Sequence, residues 1–167
     1  MKNLECINIY KSAFGSSEPF DTRLFEGFSD FIETKEIDGA TVSMLFKIPC
    51  ILNFKGKNTP IYYIYAAATD NQYRGKGYMS DLIKNVIKTT NAPLFLKPAT
   101  KELEGFYERL GFKRIDAVIK NPDAVILPNE KWEQLSERDS NSQEFTLMYS
   151  GYLPPQITTL SFSYTMD

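Results

Sequence analysis

Histidine is absent from the whole 167-residue chain. That excludes Ser-His-Asp and Cys-His nucleophile systems and any histidine-ligated metal site. A general base must then be a carboxylate, a lysine, a tyrosine, a chain terminus or a relayed water. Cysteine is scarce too. Cys6 and Cys50 are the two thiols, both in apolar surroundings, and they read as buried packing groups, with no disulfide framework and no metal expected. No apolar run approaches the roughly 20 residues that a membrane helix requires. The opening MKNLECINIY is broken by polar and acidic residues and does not read as a signal peptide. These absences point to a cytoplasmic protein without a membrane partner, most simply one domain over residues 1–167.

A large charge imbalance is also missing, since the net charge is −2. Its distribution is uneven. Residues 1–70 balance to −2, residues 71–120 to +5 and residues 121–167 to −5. A nucleic-acid binder usually carries a basic excess over its whole domain. A basic middle between acidic flanks instead suits a small polyanion held by one part of the fold.

Along the chain, residues 4–14 and 19–32 have helical periodicity, the second through Phe20, Leu24, Phe25, Phe28, Phe31 and Ile32. Ser16 or Ser17 is placed to cap the second helix. Residues 33–37, then 40–53 after the turn signal Asp38-Gly39, read as strands. Pro49 within the second suggests a bulge or an edge position. IYYIYAAAT, residues 61–69, reads as a buried strand. Met79, Leu82, Ile83, Val86 and Ile87 form one apolar helix stripe, with Ser80, Asp81, Lys84, Asn85 and Lys88 facing away. Residues 94–97 make a short strand. Leu103, Phe106, Tyr107 and Leu110 give a further helix that Gly111 ends. Residues 113–120, 144–150 and 157–166 read as strands, and 121–143 as loop with a helical turn near Trp132. The last two strands alternate in a way that fits either intrachain pairing or dimerisation. Helices first, then strands interrupted by two helices, indicate an α+β (mixed α/β) domain.

The segment YAAATDNQYRGKGYMSDLI, residues 65–83, joins the buried strand to the clear helix through Arg74-Gly75-Lys76-Gly77. A helix start presents unpaired N–H groups and the positive end of a dipole, both of which favour an anion. Gly75 and Gly77 let backbone approach a ligand without a Cβ in the way. Arg74 and Lys76 add positive charge. The spacing is too short for a P-loop, and a dinucleotide fingerprint would need glycine where Ser80 stands. The pattern by itself says phosphate, or an ordinary turn with solvated charges.

Gln72-Tyr73-Arg74-Gly75-Lys76-Gly77 fits Q/R-x-x-G-x-G/A, and about thirty residues later comes FYERLGFKR, from Phe106 to Arg114. In this order the two resemble the GNAT (Gcn5-related N-acetyltransferase) superfamily over roughly residues 39–116. RGKGYMS also looks like the branch related to enhanced-intracellular-survival acetyltransferases, where Met stands at another family's third glycine. The resemblance implies a central, twisted, mostly antiparallel sheet flanked by helices. Two of its central strands, here Tyr62–Thr69 and Leu94–Lys97, would splay around a pantetheine arm.

It also implies acetyl-CoA as cosubstrate, with direct acetyl transfer to an amine through a tetrahedral intermediate. The implied cofactor-binding set is Ala67, Ala68, Thr69, Gln72, Arg74, Gly75, Lys76, Gly77, Tyr78, Met79, Ser80 and Thr100. A backbone N–H at Ala67 or Ala68 would serve the oxyanion, and Tyr107 would be the general acid. Thr100 stands where the family often has Asn, which leaves either a hydroxyl for pantetheine or a helix cap. Asn71 replaces a common proline. The strand carries no Glu where many members place a base, so Glu33, Glu36, Asp38, Asp70 and a water relay through Tyr63 or Tyr65 all stay open. The acceptor is expected to be a small-molecule or peptide amine, the protein a monomer or homodimer without nucleic acid. The alternative class is a non-catalytic acyl-CoA-binding module for sensing or assembly.

Overall fold

The computed structural model describes residues 1–135 and 144–162. In chain order the elements are α1 (Lys2–Phe14), α2 (Phe20–Phe28), β1 (Ile32–Ile37), β2 (Ala40–Phe54), β3 (Lys57–Thr69), α3 (Tyr78–Thr89), β4 (Leu94–Leu96), α4 (Lys101–Arg109), β5 (Lys113–Ala117), β6 (Ala124–Leu127), α5 (Glu130–Leu135), β7 (Phe145–Ser150) and β8 (Thr159–Phe162). The mixed α+β reading holds, with helices beside a sheet that is antiparallel in most of its pairings. The chain divides into two compact units. Met1–Ile48 with Ile64–Thr89 form the first, and Pro49–Tyr63 with Thr90–Asp167 the second.

In the first unit, β1 and β2 are an antiparallel hairpin closed by Asp38-Gly39, both with positive φ (50° and 81°). Two consecutive left-handed residues match the twist of a two-residue hairpin, which is why this dipeptide stands there. From Thr41 to Phe46 every residue of β2 is buried, as expected of a strand covered on both faces. Phe25 of α2 meets Phe46 edge-on, with ring centroids 5.2 Å apart. α3 lies against β1, and Lys35 pairs with Asp81 at 3.8 Å. Cys6 is fully buried, as expected of a packing thiol.

In the second unit the strands follow the order β2-β3-β4-β7-β5-β8-β6, and β6 returns to pair with β2. β3–β4, β5–β8 and β6–β8 are parallel, while β4–β7, β5–β7 and β2–β6 are antiparallel. Both C-terminal strands thus pair within the chain. Asp123 fastens the start of β6 to β8: its carboxylate accepts from Thr158 N, Thr158 Oγ1 and Thr159 N at 2.7–3.0 Å.

Some local expectations change. α2 ends at Phe28, and Ser29–Phe31 form a 3-10 turn that carries Ile32 into β1. Phe31, which ends that turn, and Ile32, which opens β1, fit the helical period only because both are apolar. Neither serine caps α2. Pro19 occupies the cap position without a side-chain bond, and Ser17 N instead donates to the Asp21 carboxylate at 2.8 Å. Residues 124–127, read as loop, form β6, whose four residues gain their order from two neighbours rather than from local pattern. Pro49 falls between Phe46, the last residue of β2 paired to β1, and Ile51, the first paired to β6. A residue without an N–H fits where a strand changes partners. Residues 163–166 of the expected last strand lie outside the described residues. Among the described residues no helix is long and apolar enough to cross a membrane.

Phe28 has no exposed surface. Phe28→Ala is expected to lower the unfolding free energy by ~3–5 kcal/mol, read from a urea titration.

Candidate functional site

β3 is a regular strand until Ala66, whose φ is 53°. A left-handed alanine costs on the order of 1–2 kcal/mol, and inside a strand it breaks the pleat and re-aims the residues after it. Those residues are Ala67, half-buried, and Ala68, 6% exposed. The sequence shows three alanines and gives no sign of which is strained. The parallel pairing of β3 with β4 covers Tyr62 and Tyr63, while β3 runs on to Thr69.

The strand's end is tightly fastened. Thr69 Oγ1 bonds Ser43 Oγ at 2.8 Å, and Asp70 N donates to Val42 O at 2.9 Å. Asp70 then organises the turn: its Oδ1 accepts Gln72 N at 2.8 Å and its carbonyl accepts Tyr73 N at 2.9 Å. Asn71 Nδ2 donates to Ser12 Oγ on α1 at 3.0 Å. With the amides of Gln72 and Tyr73 taken by Asp70, the backbone donors left to face an anion are those from Arg74 onward. Gln72 can offer its exposed side chain.

Gly75 and Gly77 have φ of 76° and 80°, and a Cβ on either would meet nothing within 4 Å. Their backbone conformation, not local crowding, requires glycine in this structure. The cations bend back on the loop. Arg74 Nε donates to Thr69 O at 3.1 Å, and Lys76 Nζ stands 5.3 Å from the Tyr73 ring centroid. Asp81 N donates to Gly77 O at 3.0 Å, the first bond of α3. The N–H groups of Tyr78, Met79 and Ser80 therefore have no acceptor within the helix. They add to the dipole's positive end, next to the exposed loop of residues 74–77. The arrangement can hold a phosphate or pyrophosphate through main-chain amides.

Tyr107 and Thr100 belong to the second unit. Tyr107 lies on the buried face of α4, 8% exposed, with Phe106 and Phe112 edge-on at 5.1 and 5.7 Å. Burial pushes its phenol up to about 12. The hydroxyl is thus protonated throughout the neutral range. It is also a weaker acid than a free tyrosine, about 3.5 pKa units above a cysteine-type thiol near 8.5. Thr100 occupies the N-cap position of α4, exposed and with no side-chain cap bond. The capping alternative is therefore not used here. The rest of FYERLGFKR builds the helix stop. Gly111 has φ 96°, and Arg114 reaches Glu104 and Glu108, each at 2.9 Å.

Of the four carboxylates considered as bases, Glu33, Glu36 and Asp70 have structural partners, and Asp38 is exposed. Glu33 pairs with Lys47 at 3.1 Å, Glu36 with Lys2 at 3.2 Å, Asp70 holds the turn, and Asp38 sits in the β1–β2 hairpin. No group of three or more His, Cys, Asp or Glu residues is gathered as a metal site would need, among the described residues.

A family model described as an acetyltransferase (GNAT) domain matches residues 3–115. No curated protein matches the sequence at a significant level. Solved structures with the same fold include a GCN5-related N-acetyltransferase from Anabaena variabilis, 21% identical with a TM-score of 0.60, covering 69% of this chain and 30% of that one. Eis1 from Mycobacterium abscessus is 12% identical, with a TM-score of 0.55 and coverage of 68% and 32%. Arabidopsis thaliana Naa50, bound to the bisubstrate analogue CoA-Ac-MVNAL, is 15% identical with a TM-score of 0.52, covering 90% and 93%. The chain thus spans about a third of the length of the first two.

Gly77→Ala, forced into a left-handed conformation, is expected to destabilise the protein by ~1–2 kcal/mol. Chemical denaturation beside Gly27→Ala, a glycine without positive φ and with open space, checks that the cost comes from backbone conformation.

Proposed function

This chain belongs to the GNAT acetyltransferase family, and on that premise we propose that it transfers an acetyl group from acetyl-CoA to an amine. The observation carrying the reading is the fastened turn from strained Ala66 to the start of α3, with glycines at the two left-handed positions. The residues fit the cosubstrate. The main chain of Arg74, Gly75, Lys76, Gly77, Tyr78, Met79 and Ser80 receives the pyrophosphate. Ala67, Ala68 and Thr69 lie along the pantetheine arm, with Gln72 and Thr100 contributing side chains. Acetyl-CoA supplies a thioester carbonyl activated for attack by a neutral amine.

The chain's own groups then have three tasks. The amide of Ala67 or Ala68 donates to the developing oxyanion, a contribution that removal of comparable donors elsewhere places at about 3–4 kcal/mol. Tyr107 donates a hydrogen bond to the departing sulfur. With its phenol up at about 12, stabilising the thiolate suits it better than full proton transfer. The amine must lose a proton: a lysine-like ammonium near 10.4 costs about 4.6 kcal/mol to neutralise at pH 7. The acceptor is a small-molecule or peptide amine. The reading treats residues 1–167 as one working domain, monomeric or homodimeric and cytoplasmic.

β3 carries no carboxylate between Lys57 and Thr69, which favours a second reading as an acyl-CoA-binding module without turnover. Thermal melting separates the outcomes. Acetyl-CoA at 100 times its Kd should stabilise the fold by about 2.7 kcal/mol, and no stabilisation at saturation defeats the cofactor reading. Thiol release across a panel of amines marks an enzyme, and stabilisation without release marks the binding module. Tyr107→Phe should lower kcat about tenfold or more with little change in the KM for acetyl-CoA. An unchanged kcat would remove Tyr107 from the mechanism.

A further inference from the structure

Two hydroxyls meet where β2 passes the end of β3. Ser43 of β2 has no exposed surface, and its Oγ lies 2.8 Å from Oγ1 of Thr69, a half-buried residue. Among the described residues, neither side-chain oxygen has a second hydrogen-bond partner. The main chain around the pair is fixed. Asp70 N donates to Val42 O at 2.9 Å, and Thr69 O accepts from Arg74 Nε at 3.1 Å. Thr69 ends β3 directly after Ala68. The reaction above gives neither hydroxyl a task.

Two oxygens and two protons allow two arrangements. If Thr69 donates to Ser43, the Ser43 proton is left fully buried with no acceptor, which carries the whole desolvation cost of an unpaired donor. If Ser43 donates to Thr69, the buried donor is satisfied. The proton left over is then that of Thr69, the partly exposed member of the pair. The second arrangement wins. Thr69 Oγ1 accepts from the interior and keeps its own O–H to offer outside it. The branched Cβ of threonine already restricts χ1, and the Ser43 bond selects among the positions that remain. The donor is therefore aimed before any ligand arrives, which lowers the ordering cost of binding.

We infer that the Thr69 hydroxyl donates a hydrogen bond to an amide carbonyl of the pantetheine arm, and that Ser43 holds it in that direction. The inference rests on the acetyltransferase reading and adds a side-chain contact to it. The ligand group must be an acceptor. An acceptor amine needs its lone pair for attack, so a hydrogen bond onto that lone pair would oppose the reaction. In the reading above, the pyrophosphate goes to the amides from Arg74 onward, beyond the turn. A pantetheine carbonyl has lone pairs that the chemistry does not use, and it lies along the strand end that Thr69 closes. Ser43 touches no ligand. It is a positioning residue, acting through Thr69.

Isothermal titration of the whole chain with CoA and with ADP tests it, since ADP carries a pyrophosphate without the pantetheine arm. Thr69→Val should weaken CoA by about fivefold, the contribution of one neutral hydrogen bond, and leave ADP unchanged. Thr69→Ser keeps the hydroxyl and should bind both probes as wild type does. Ser43→Ala leaves the Thr69 hydroxyl but frees it among its staggered positions, so CoA weakens by about two- to threefold while ADP does not. Equal losses for the two probes mean that the pair only holds the turn. An unchanged CoA affinity in Thr69→Val or in Ser43→Ala means that the hydroxyl is idle or is not held by Ser43. Each of these overturns the inference. Melting curves give a readout that does not depend on ADP. Thr69→Val strands the Ser43 proton in the interior and should lower Tm, and adding Ser43→Ala removes that orphan and should recover most of the loss. CoA should stay as weak in the double variant as in Thr69→Val, and an affinity that recovers along with Tm overturns the inference too. A wild type that binds no CoA defeats the acetyltransferase reading itself.

Discussion

The site depends on how β3 ends. A strand that simply ran out would leave a loose glycine loop, with amides scattered over many conformations. Here the end is bonded sideways to β2 through Thr69 to Ser43 and Asp70 to Val42, and forward through Asp70 to Gln72 and Tyr73. These bonds fix where the chain stands when it reaches Gly75. The two left-handed glycines then turn it into α3 within a few residues. An amide cradle binds tightly only if its ordering entropy has been met in advance. The ties at the end of β3 meet it before any ligand arrives.

Strain sits beside that fixed end. Ala66 holds a conformation that alanine seldom adopts, and its neighbours on either side are Tyr65 and Ala67. Backbone strain held in this way re-aims the residues that follow, starting with Ala67. The charges matter less than their number in the sequence suggests. Arg74 folds onto Thr69 and Lys76 onto Tyr73, so the loop's cations support the backbone that presents the amides.

Much of this is legible in the sequence because it rests on local chemistry. The helix from Tyr78 follows from its apolar stripe, the hairpin from Asp38-Gly39, and the stop after α4 from Gly111. The left-handed glycine turn before the α3 start is legible too, and its pairing with FYERLGFKR carries the resemblance to the family whose model matches. The features that stay hidden depend on distant partners. β6 exists because β2 and β8 lie on either side of it. Asp21 stands in the polar part of a helical pattern, and nothing within a few positions shows that it is buried. Ala66 carries no mark at all, because three alanines in a strand look alike until one has to turn. The upward push that burial gives the Tyr107 phenol is likewise invisible.

The central claim is that main-chain amides at one strand end and one helix start receive the pyrophosphate and pantetheine of CoA. Backbone amide shifts of the nitrogen-15-labelled chain, followed as CoA is added, test it most directly. Such a cradle predicts that the largest saturable shifts fall on residues 66–69 and 74–80, with Gln72 and Tyr73 moving less because Asp70 already holds their amides. Shifts that centre elsewhere while these amides stay still would contradict it.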